Sequence, residues 1–237
     1  MKTVIINISG NTGKTTLTKH MFAPLLKAKR ISIEDSNAGD GTPDLEISSA
    51  KFKKLAGELN TADESESFVI DIGGSNAKNM ISTFDELAST TELIDCWVIP
   101  VTPSTKQITD SLRTAQSLKD LGIEPEKIVL LPNNVTDPES FESDFALIYK
   151  ARQFGFFVPE QAILSTEAFE ILKNDERSIF DVINNKINFT AKKAELRKAG
   201  DDEGLAKLGQ EIVLYDLSRF ASRNIKKVFE SIPLFEG

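Results

Sequence analysis

Short apolar runs alternate with segments of helical periodicity over the first two thirds of the chain. In runs such as Phe68-Val69-Ile70 and Trp97-Val98-Ile99 every residue is apolar, which is expected of strands covered on both faces. Strands separated by helices predict an α/β fold, with a mostly parallel, doubly wound sheet and helices on both of its faces. The predicted strands cover residues 3–8, 30–34, 67–72, 93–101, 127–131 and 161–164, and the predicted helices cover 13–28, 48–59, 76–89, 105–121 and 138–154.

The pattern changes after the last predicted strand. From residue 166 onward apolar residues recur at helical spacing, and Gly200-Asp201-Asp202 separates two helices, with an aspartate placed to cap the second. We therefore predict a core over residues 1–165 and a helical extension over residues 166–237 that packs on this core.

The most informative segment follows the first predicted strand and reads Ser9-Gly10-Asn11-Thr12-Gly13-Lys14-Thr15-Thr16. A strand, a glycine-containing loop and a helix in this order predict a phosphate-binding loop (P-loop). Gly10 and Gly13 let the backbone N–H groups of the loop, including those of Asn11 and Thr12, curl around an anion. The helix that follows directs the positive end of its dipole at the same anion.

The polar side chains at the end of this loop have separate predicted roles. Lys14 places an ammonium against the β- and γ-phosphate oxygens of a nucleotide, Thr15 offers a hydroxyl to Mg²⁺, and Thr16 reaches the α-phosphate. The full P-loop pattern is only partly met, because it requires glycine where this chain has Ile8. The alternative is a Gly-Lys-Thr turn that binds nothing.

Asp71 closes an apolar strand and is followed by Ile72-Gly73-Gly74-Ser75. An acid in this position, opposite a P-loop, commonly holds Mg²⁺ directly or through water. The glycines let the backbone pass close to a γ-phosphate. A simple turn at the start of the next helix is the alternative, and both interpretations are compatible.

Two further loops at strand ends contain candidate residues. Asp35 and Asp40 follow the second predicted strand, where an acid can orient the attacking water; Asp35 lies nearer the strand end. Asn133 and Asn134 follow the strand at 127–131, where a side-chain amide can contact the adenine edge. The sequence does not decide which member of either pair has the role, and polar turns are the alternative for both.

The charge of the chain is acidic, with 36 Asp and Glu against 28 Lys and Arg and a net charge of −8. This balance argues against a surface coated for DNA or anionic membrane. Locally, however, residues 186–198 contain five basic residues and one acid, and residues 216–227 contain four and one. These helices predict at most weak direct DNA binding, and solvated helix faces are the alternative.

The remaining composition restricts the expected chemistry and cellular location of the protein. The chain has one cysteine, Cys96, inside an apolar run, and one histidine, His20, in the first predicted helix. We expect a buried thiol and a histidine at the surface or its boundary, without a catalytic role. No long apolar region opens the chain and no apolar run approaches ~20 residues, so we expect no signal peptide, no membrane span and a cytoplasmic protein.

Taken together, these motifs resemble the ParA/MinD group of P-loop ATPases, whose loop reads Lys-Gly-Gly-x-Gly-Lys-Thr-Thr. The strand end at Asp71 with its two glycines is similar to the second acidic motif of the group, and residues 97–103 resemble its next strand and proline turn. More narrowly, residues 1–44, 68–78 and 128–137 resemble plasmid stability proteins of the StbB type, which are encoded beside a DNA-binding partner, StbA. The resemblance covers most of residues 1–170.

The resemblance implies a protein that binds and hydrolyses ATP with Mg²⁺ in plasmid stability, partition and positioning, with a link to conjugation. It implies a nucleotide-dependent homodimer and an StbA-like partner, with Lys14, Asp35, Asp40 and Asp71 as the catalytic set. One position departs from the group: the lysine that reaches the nucleotide of the other subunit is Ser9 here. A trans-acting cation is worth ~10³–10⁵ in rate, so we expect a weak ATPase, or one in which another basic residue or a partner protein supplies the missing charge.

Two alternatives remain open at this stage. One is a nucleotide-gated adaptor with little hydrolysis, which the missing lysine favours. The other is a small-molecule ATP-dependent enzyme similar to dethiobiotin synthetase. The sequence contains no clear second group of acids and bases for such a substrate.

Overall fold

The computed structural model describes residues 1–33, 45–48, 52–63 and 65–235. Its strands are β1 (Lys2–Ile5), β2 (Lys29–Ile33), β3 (Leu45–Ile47), β4 (Phe68–Ile72), β5 (Cys96–Val101) and β6 (Ile128–Pro132). These six form one sheet in the order β3-β2-β4-β1-β5-β6, and each neighbouring pair is parallel. The predicted α/β class and its parallel sheet are confirmed.

The helices cover both faces of this sheet. After the loop at β1, the helical segment consists of α1 (Lys14–Leu17), a π-helical turn (Thr18–Phe22) and α2 (Ala23–Leu26). The further helices are α3 (Phe52–Thr61), α4 (Ala77–Glu86), α5 (Ala88–Glu92), α6 (Thr105–Asp120), α7 (Phe141–Asp144), α8 (Ala146–Lys150), α9 (Glu167–Ile171), α10 (Ile179–Asn184), α11 (Phe189–Ala199) and α12 (Asp202–Glu230).

Two apolar cores lie on opposite faces of the sheet, because successive residues of a strand point to opposite sides. Val4 belongs to the core that contains Trp97 and the buried side of α3. Its neighbour Ile5 belongs to the core that contains Phe22 and the buried side of α12. The helix after the P-loop and the long C-terminal helix therefore share one face of the sheet.

The C-terminal helices differ in how much they bury. Leu214, Ala221, Ile225 and Val228 of α12 are buried, whereas α11 has no buried residue. Phe189 of α11 contacts Tyr215 of α12 edge-on, with ring centroids 5.3 Å apart. The division of the chain into residues 1–165 and 166–237 stays a prediction. Across the described part of the chain, no helix has both the length and the apolar character needed to cross a bilayer.

Two predicted elements need correction, and one strand was missed. Residues 161–164 form no strand of the sheet: Leu164 makes an isolated bridge to Val135, and the neighbouring Pro159 has no N–H for a ladder. The three-residue strand β3 was not predicted. The predicted helix at 138–154 is divided into α7, α8 and a 3₁₀ turn (Ala151–Phe154).

Candidate functional site

A pocket of about 450 Å³ lies beyond the carboxyl end of β1, where doubly wound sheets bind their ligands. The P-loop forms its floor, and the segment after β4, the end of β6 and the helix α9 form its walls. The pocket is lined by Gly10, Asn11, Thr12, Gly13, Lys14, Thr15, Thr16, Lys19, His20, Gly73, Gly74, Asn133, Asn134, Leu164, Ser165, Thr166, Phe169, Glu170 and Lys173.

The P-loop is curled by two left-handed residues. Asn11 has φ 56° and Gly13 has φ 83°, and asparagine and glycine are the residues that adopt this region most readily. Helix α1 begins directly afterwards, with the N–H of Leu17 donating to the carbonyl of Gly13 at 2.9 Å. The loop therefore ends at a helix N-terminus, a place that favours anions.

Lys14 is buried at the start of this helix, with 7% of its surface exposed. Its ammonium donates to the carbonyl of Ser9 at 2.9 Å, across the mouth of the loop. The hydroxyl of Thr12 is also buried and has no hydrogen-bond partner among the described residues. A cation and an unsatisfied hydroxyl in one curled loop fit a phosphate chain.

The two asparagines after β6 occupy different environments. Asn133 is buried, and its Nδ2 donates to the carbonyl of Thr12 at 2.8 Å. A Cβ on Gly13 would lie 2.3 Å from the same Nδ2, so only glycine leaves room for this contact. Asn134 is exposed, with φ 59°, and lines the pocket from its rim. Base contact by either asparagine stays a prediction.

The segment after β4 touches the P-loop through Gly74. A Cβ on Gly74 would lie 3.2 Å from the carbonyl oxygen of Ser9 and 3.3 Å from the nitrogen of Gly10. Gly73 donates its N–H to the carbonyl of Ile33 at 3.1 Å, which ties the segment to the end of β2. This close approach explains the second glycine of the pair.

Asp71 lies in β4 with 4% of its surface exposed, behind the glycine segment and outside the set of pocket-lining residues. Thr15 lines the pocket. Metal binding by Thr15 and Asp71 therefore stays a prediction, as do the phosphate contacts of the loop and of Thr16. Asp35 and Asp40 lie outside the described residues.

Two polar side chains of the site were not predicted from the sequence. Asn7 is fully buried: its Nδ2 donates to the carbonyl of Pro100 at 2.9 Å and to Ser111 Oγ at 2.7 Å, and its Oδ1 accepts from the N–H of Ser9 at 2.8 Å. A buried amide needs such partners, so an asparagine inside an apolar run was the available signal. Gln107 of α6 donates to the carbonyl of Gly10 at 3.1 Å, and nothing in the sequence marks it.

The π-helical turn places two more side chains at the pocket. Lys19 and His20 are 4% and 2% exposed, so the expectation that His20 lies at the surface or its boundary is wrong. His20 Nδ1 accepts from the N–H of Ile179 at 3.2 Å. Burial first, and the nearby charge of Lys19 next, lower the pKa of His20 to about 3, so the imidazole is neutral at physiological pH.

The α9 wall of the pocket was also missed. It consists of Ser165, Thr166, Phe169, Glu170 and Lys173. Thr166 caps α9 by accepting from the N–H of Ala168 at 3.3 Å. Such a cap predicts a helix start but carries no information about a ligand.

Comparison with known proteins identifies the fold. No protein-family model matches the sequence, and no curated protein sequence is significantly similar to it. The chain is similar to the structure of apo McdA from Cyanothece, at 15% identity over 93% of this chain and 98% of that chain, with a TM-score of 0.50. It is similar to MinD from Aquifex aeolicus, at 17% identity over 78% and 90% of the two chains, with a TM-score of 0.53.

A third similar structure is the MinC:MinD cell division protein complex of Aquifex aeolicus. The identity is 14% over 78% of this chain and 89% of that chain, with a TM-score of 0.54. At these identities the likeness establishes the fold, which is the α/β P-loop fold of MinD and McdA.

Proposed function

We propose that this protein binds ATP with Mg²⁺ and hydrolyses it slowly. The observation that carries the proposal is the curled loop at the end of β1, with the buried Lys14 across its mouth and a helix N-terminus below it. The N–H groups of Gly10, Asn11, Thr12 and Gly13 would surround the β-phosphate. Thr16 would contact the α-phosphate.

The metal role is assigned to Thr15 and Asp71. Mg²⁺, when bound, neutralises charge on the β- and γ-phosphate oxygens. Thr15 lines the pocket, and Asp71 stands two residues before the glycine segment that touches the P-loop. Asp35 or Asp40 would orient the attacking water.

We assign the adenine base of the nucleotide to the rim of the pocket between β6 and α9. Asn133 already donates to the P-loop, so the exposed Asn134 is the better placed of the two for the adenine edge. Phe169 and Thr166 offer the opposite wall.

For the biological role we propose plasmid stability, partition and positioning, with a link to conjugation, in the cytoplasm. The sequence resemblance to StbB-type proteins supports this role, and the fold shared with MinD and McdA is compatible with it. Nucleotide state would control formation of a homodimer and binding to an StbA-like partner. The basic helix α11, which buries no residue, is the candidate for weak direct DNA contact.

A nucleotide-gated adaptor with little hydrolysis is the second candidate, and Ser9 favours it. Ser9 is 6% exposed, its N–H donates to Asn7 and its carbonyl accepts from Lys14. A buried serine held in this way cannot supply the cation that other members of the ParA/MinD group present to a second subunit.

The Lys14→Ala variant tests the site and separates the two candidates. Loss of a charge-assisted hydrogen bond predicts that ATP binds roughly 10- to 100-fold more weakly. Calorimetric titration with Mg-ATP measures the affinity, and phosphate release with and without plasmid DNA measures turnover. The matched control is Lys53→Ala, which removes an exposed lysine paired with Glu86.

The outcomes differ for each candidate. Turnover that requires Lys14 and rises with DNA supports the ATPase, whereas tight Lys14-dependent binding without turnover supports the adaptor. Unchanged ATP affinity in Lys14→Ala would contradict the site itself.

A further inference from the structure

We infer that Gln107 and Asn133 are positioning residues that hold the P-loop in its anion-binding shape before a nucleotide arrives. The inference rests on the proposed nucleotide binding and adds two residues to that same site. It is carried by hydrogen bonds from both side-chain amides to consecutive carbonyls of the loop.

The three carbonyls concerned belong to Gly10, Asn11 and Thr12. Gln107 Nε2 lies 3.1 Å from the carbonyl oxygen of Gly10 and 3.5 Å from that of Asn11. Asn133 Nδ2 lies 2.8 Å from the carbonyl oxygen of Thr12. Both amides therefore bind carbonyls of the same turn.

Fixing these carbonyls also fixes the N–H groups that bind the anion. In a trans peptide the carbonyl of one residue and the N–H of the next lie in one plane and point in opposite directions. Holding the carbonyls of Gly10, Asn11 and Thr12 in place therefore also fixes the direction of the N–H groups of Asn11, Thr12 and Gly13, which point away from the two amides.

The loop needs this support because its backbone is unfavourable on its own. Asn11 has φ 56°, a left-handed conformation that asparagine adopts more readily than most residues but that still costs free energy, so it persists where the surroundings determine it. Gln107 is itself oriented, because the hydroxyl of Thr102 donates to its Oε1. Its amide nitrogen consequently faces the loop.

Both amides come from rigid positions beside the loop. Thr102 follows β5 directly and Gln107 lies in the first turn of α6, while Asn133 follows β6 directly. Asn133 is also 5% exposed and contacts Gly13. A side chain at position 13 would collide with the amide of Asn133. The loop of β1 is thus braced from the two strands on one side of it.

The side-chain amides of Gln107 and Asn133 together form the brace of the loop. The test compares two brace variants, each lacking one of these amides, with two matched controls. Gln107→Met keeps the length of the side chain and removes its hydrogen bonds. Gln116→Met makes the same change on the same helix, where the amide donates to Asp120. Asn133→Ala removes the second amide; Asn60→Ala removes an amide that donates to the carbonyl of Ala56 at 2.7 Å, on α3.

Two measurements are made on each protein. We expect about tenfold weaker Mg-ATP binding in each brace variant, a change equivalent to one hydrogen bond, and less than about twofold in the controls. Backbone ¹⁵N relaxation of the nucleotide-free proteins reports on the rigidity of the loop directly. The order parameters of Asn11, Thr12 and Gly13 should fall in the brace variants and remain unchanged in the controls.

The outcomes separate this inference from the proposed function. Wild-type protein that binds no ATP overturns the proposed function, and the inference with it. Lys14-dependent binding by the wild type, with wild-type affinity and order parameters in both brace variants, overturns the inference alone. An effect in only one variant assigns the brace to that residue and removes it from the other. If Asn133→Ala fails to fold, the half-buried Gln107 carries the test.

Discussion

The burial of a single side chain, His20, makes the stability of the fold depend on pH. It is buried in the π-helical turn, where Ile179 donates to its Nδ1, and burial is the first cause of its pKa of about 3. Because the pKa of the folded state is below the unfolded value of about 6.5, the folded state resists protonation. The stabilisation is complete above pH 6.5 and is lost as pH falls towards 3.

We predict that His20→Gln weakens this pH dependence. Between pH 6.5 and 5, the wild type should lose about 2 kcal/mol of unfolding free energy through this residue, which glutamine does not lose. Urea unfolding of both proteins at the two pH values measures the difference. Equal losses in the two proteins would show that His20 is protonated as readily in the fold as outside it.

At the same scale, the sequence could identify which residues have the right chemistry for the site but not the direction in which their side chains point. The spacing of Gly13, Lys14 and Thr15 after a strand sufficed to predict the loop, and all three line the pocket. Asn133 and Asn134 were inseparable, because adjacent residues after a strand differ only in how the backbone turns there. The left-handed conformation of Asn134 sends one side chain to the P-loop and leaves the other exposed.

At the scale of elements, the turn after α9 joins the pocket to the C-terminal helix. Lys19, in the π-helical turn, donates to the carbonyl of Leu172 at 2.6 Å and also to that of Asp175. Arg177 binds the carboxylate of Asp175, with a shortest distance of 2.8 Å, and that of Glu211 on α12 at 2.6 Å. Hydrogen bonds from Arg177 lower the pKa of Asp175.

Removing the ammonium of Lys19 should therefore destabilise the fold strongly. Lys19→Met keeps most of the buried stem but leaves two carbonyls without this donor, at about 1–3 kcal/mol each. The control is Lys29→Met, which breaks an exposed pair with Glu66, with 61% of the lysine side chain exposed; such pairs contribute about 0–1 kcal/mol. Urea unfolding measures both, and a loss in Lys19→Met no larger than in the control would contradict the assignment.

Helices and strands could be predicted where the hydrophobic periodicity of the sequence was long and where the structure follows it. The strands that pair with β1 are apolar except for Asp71 in β4, and both were predicted. The π-helical turn was not, although Pro24 follows it and cannot donate an N–H to the helix. Strand β3 has three residues, too few for a periodic signal, and residues 161–164 combine an apolar pattern with an edge position that pairs only at isolated points.

At the scale of the whole molecule, the distribution of charge matters more than its sum. The net charge of −8 predicts repulsion from nucleic acid, yet the basic residues of α11 lie on a helix that buries none of its side chains. The sequence could count these charges but could not show that α11 packs against α12 through the contact of Phe189 with Tyr215. Exposure on such a helix leaves the charges available to a phosphate backbone.

If weak direct DNA binding uses α11, the affinity should fall steeply with salt concentration and should depend on the basic residues of this helix and not on those of other helices. About four phosphate contacts predict a slope of log affinity against log salt of about −3 to −4. Replacing four basic residues of α11 by glutamine should reduce the affinity at least about tenfold in low salt and flatten the slope, and fluorescence anisotropy with a DNA duplex measures both. The four are Lys192, Lys193, Arg197 and Lys198. The control set makes the same change of charge at exposed positions of other helices and consists of Lys53, Lys54, Lys119 and Lys150. Equal losses in the two sets would mean that only net charge matters, and unchanged binding in the α11 set would place any DNA contact elsewhere or on a partner protein.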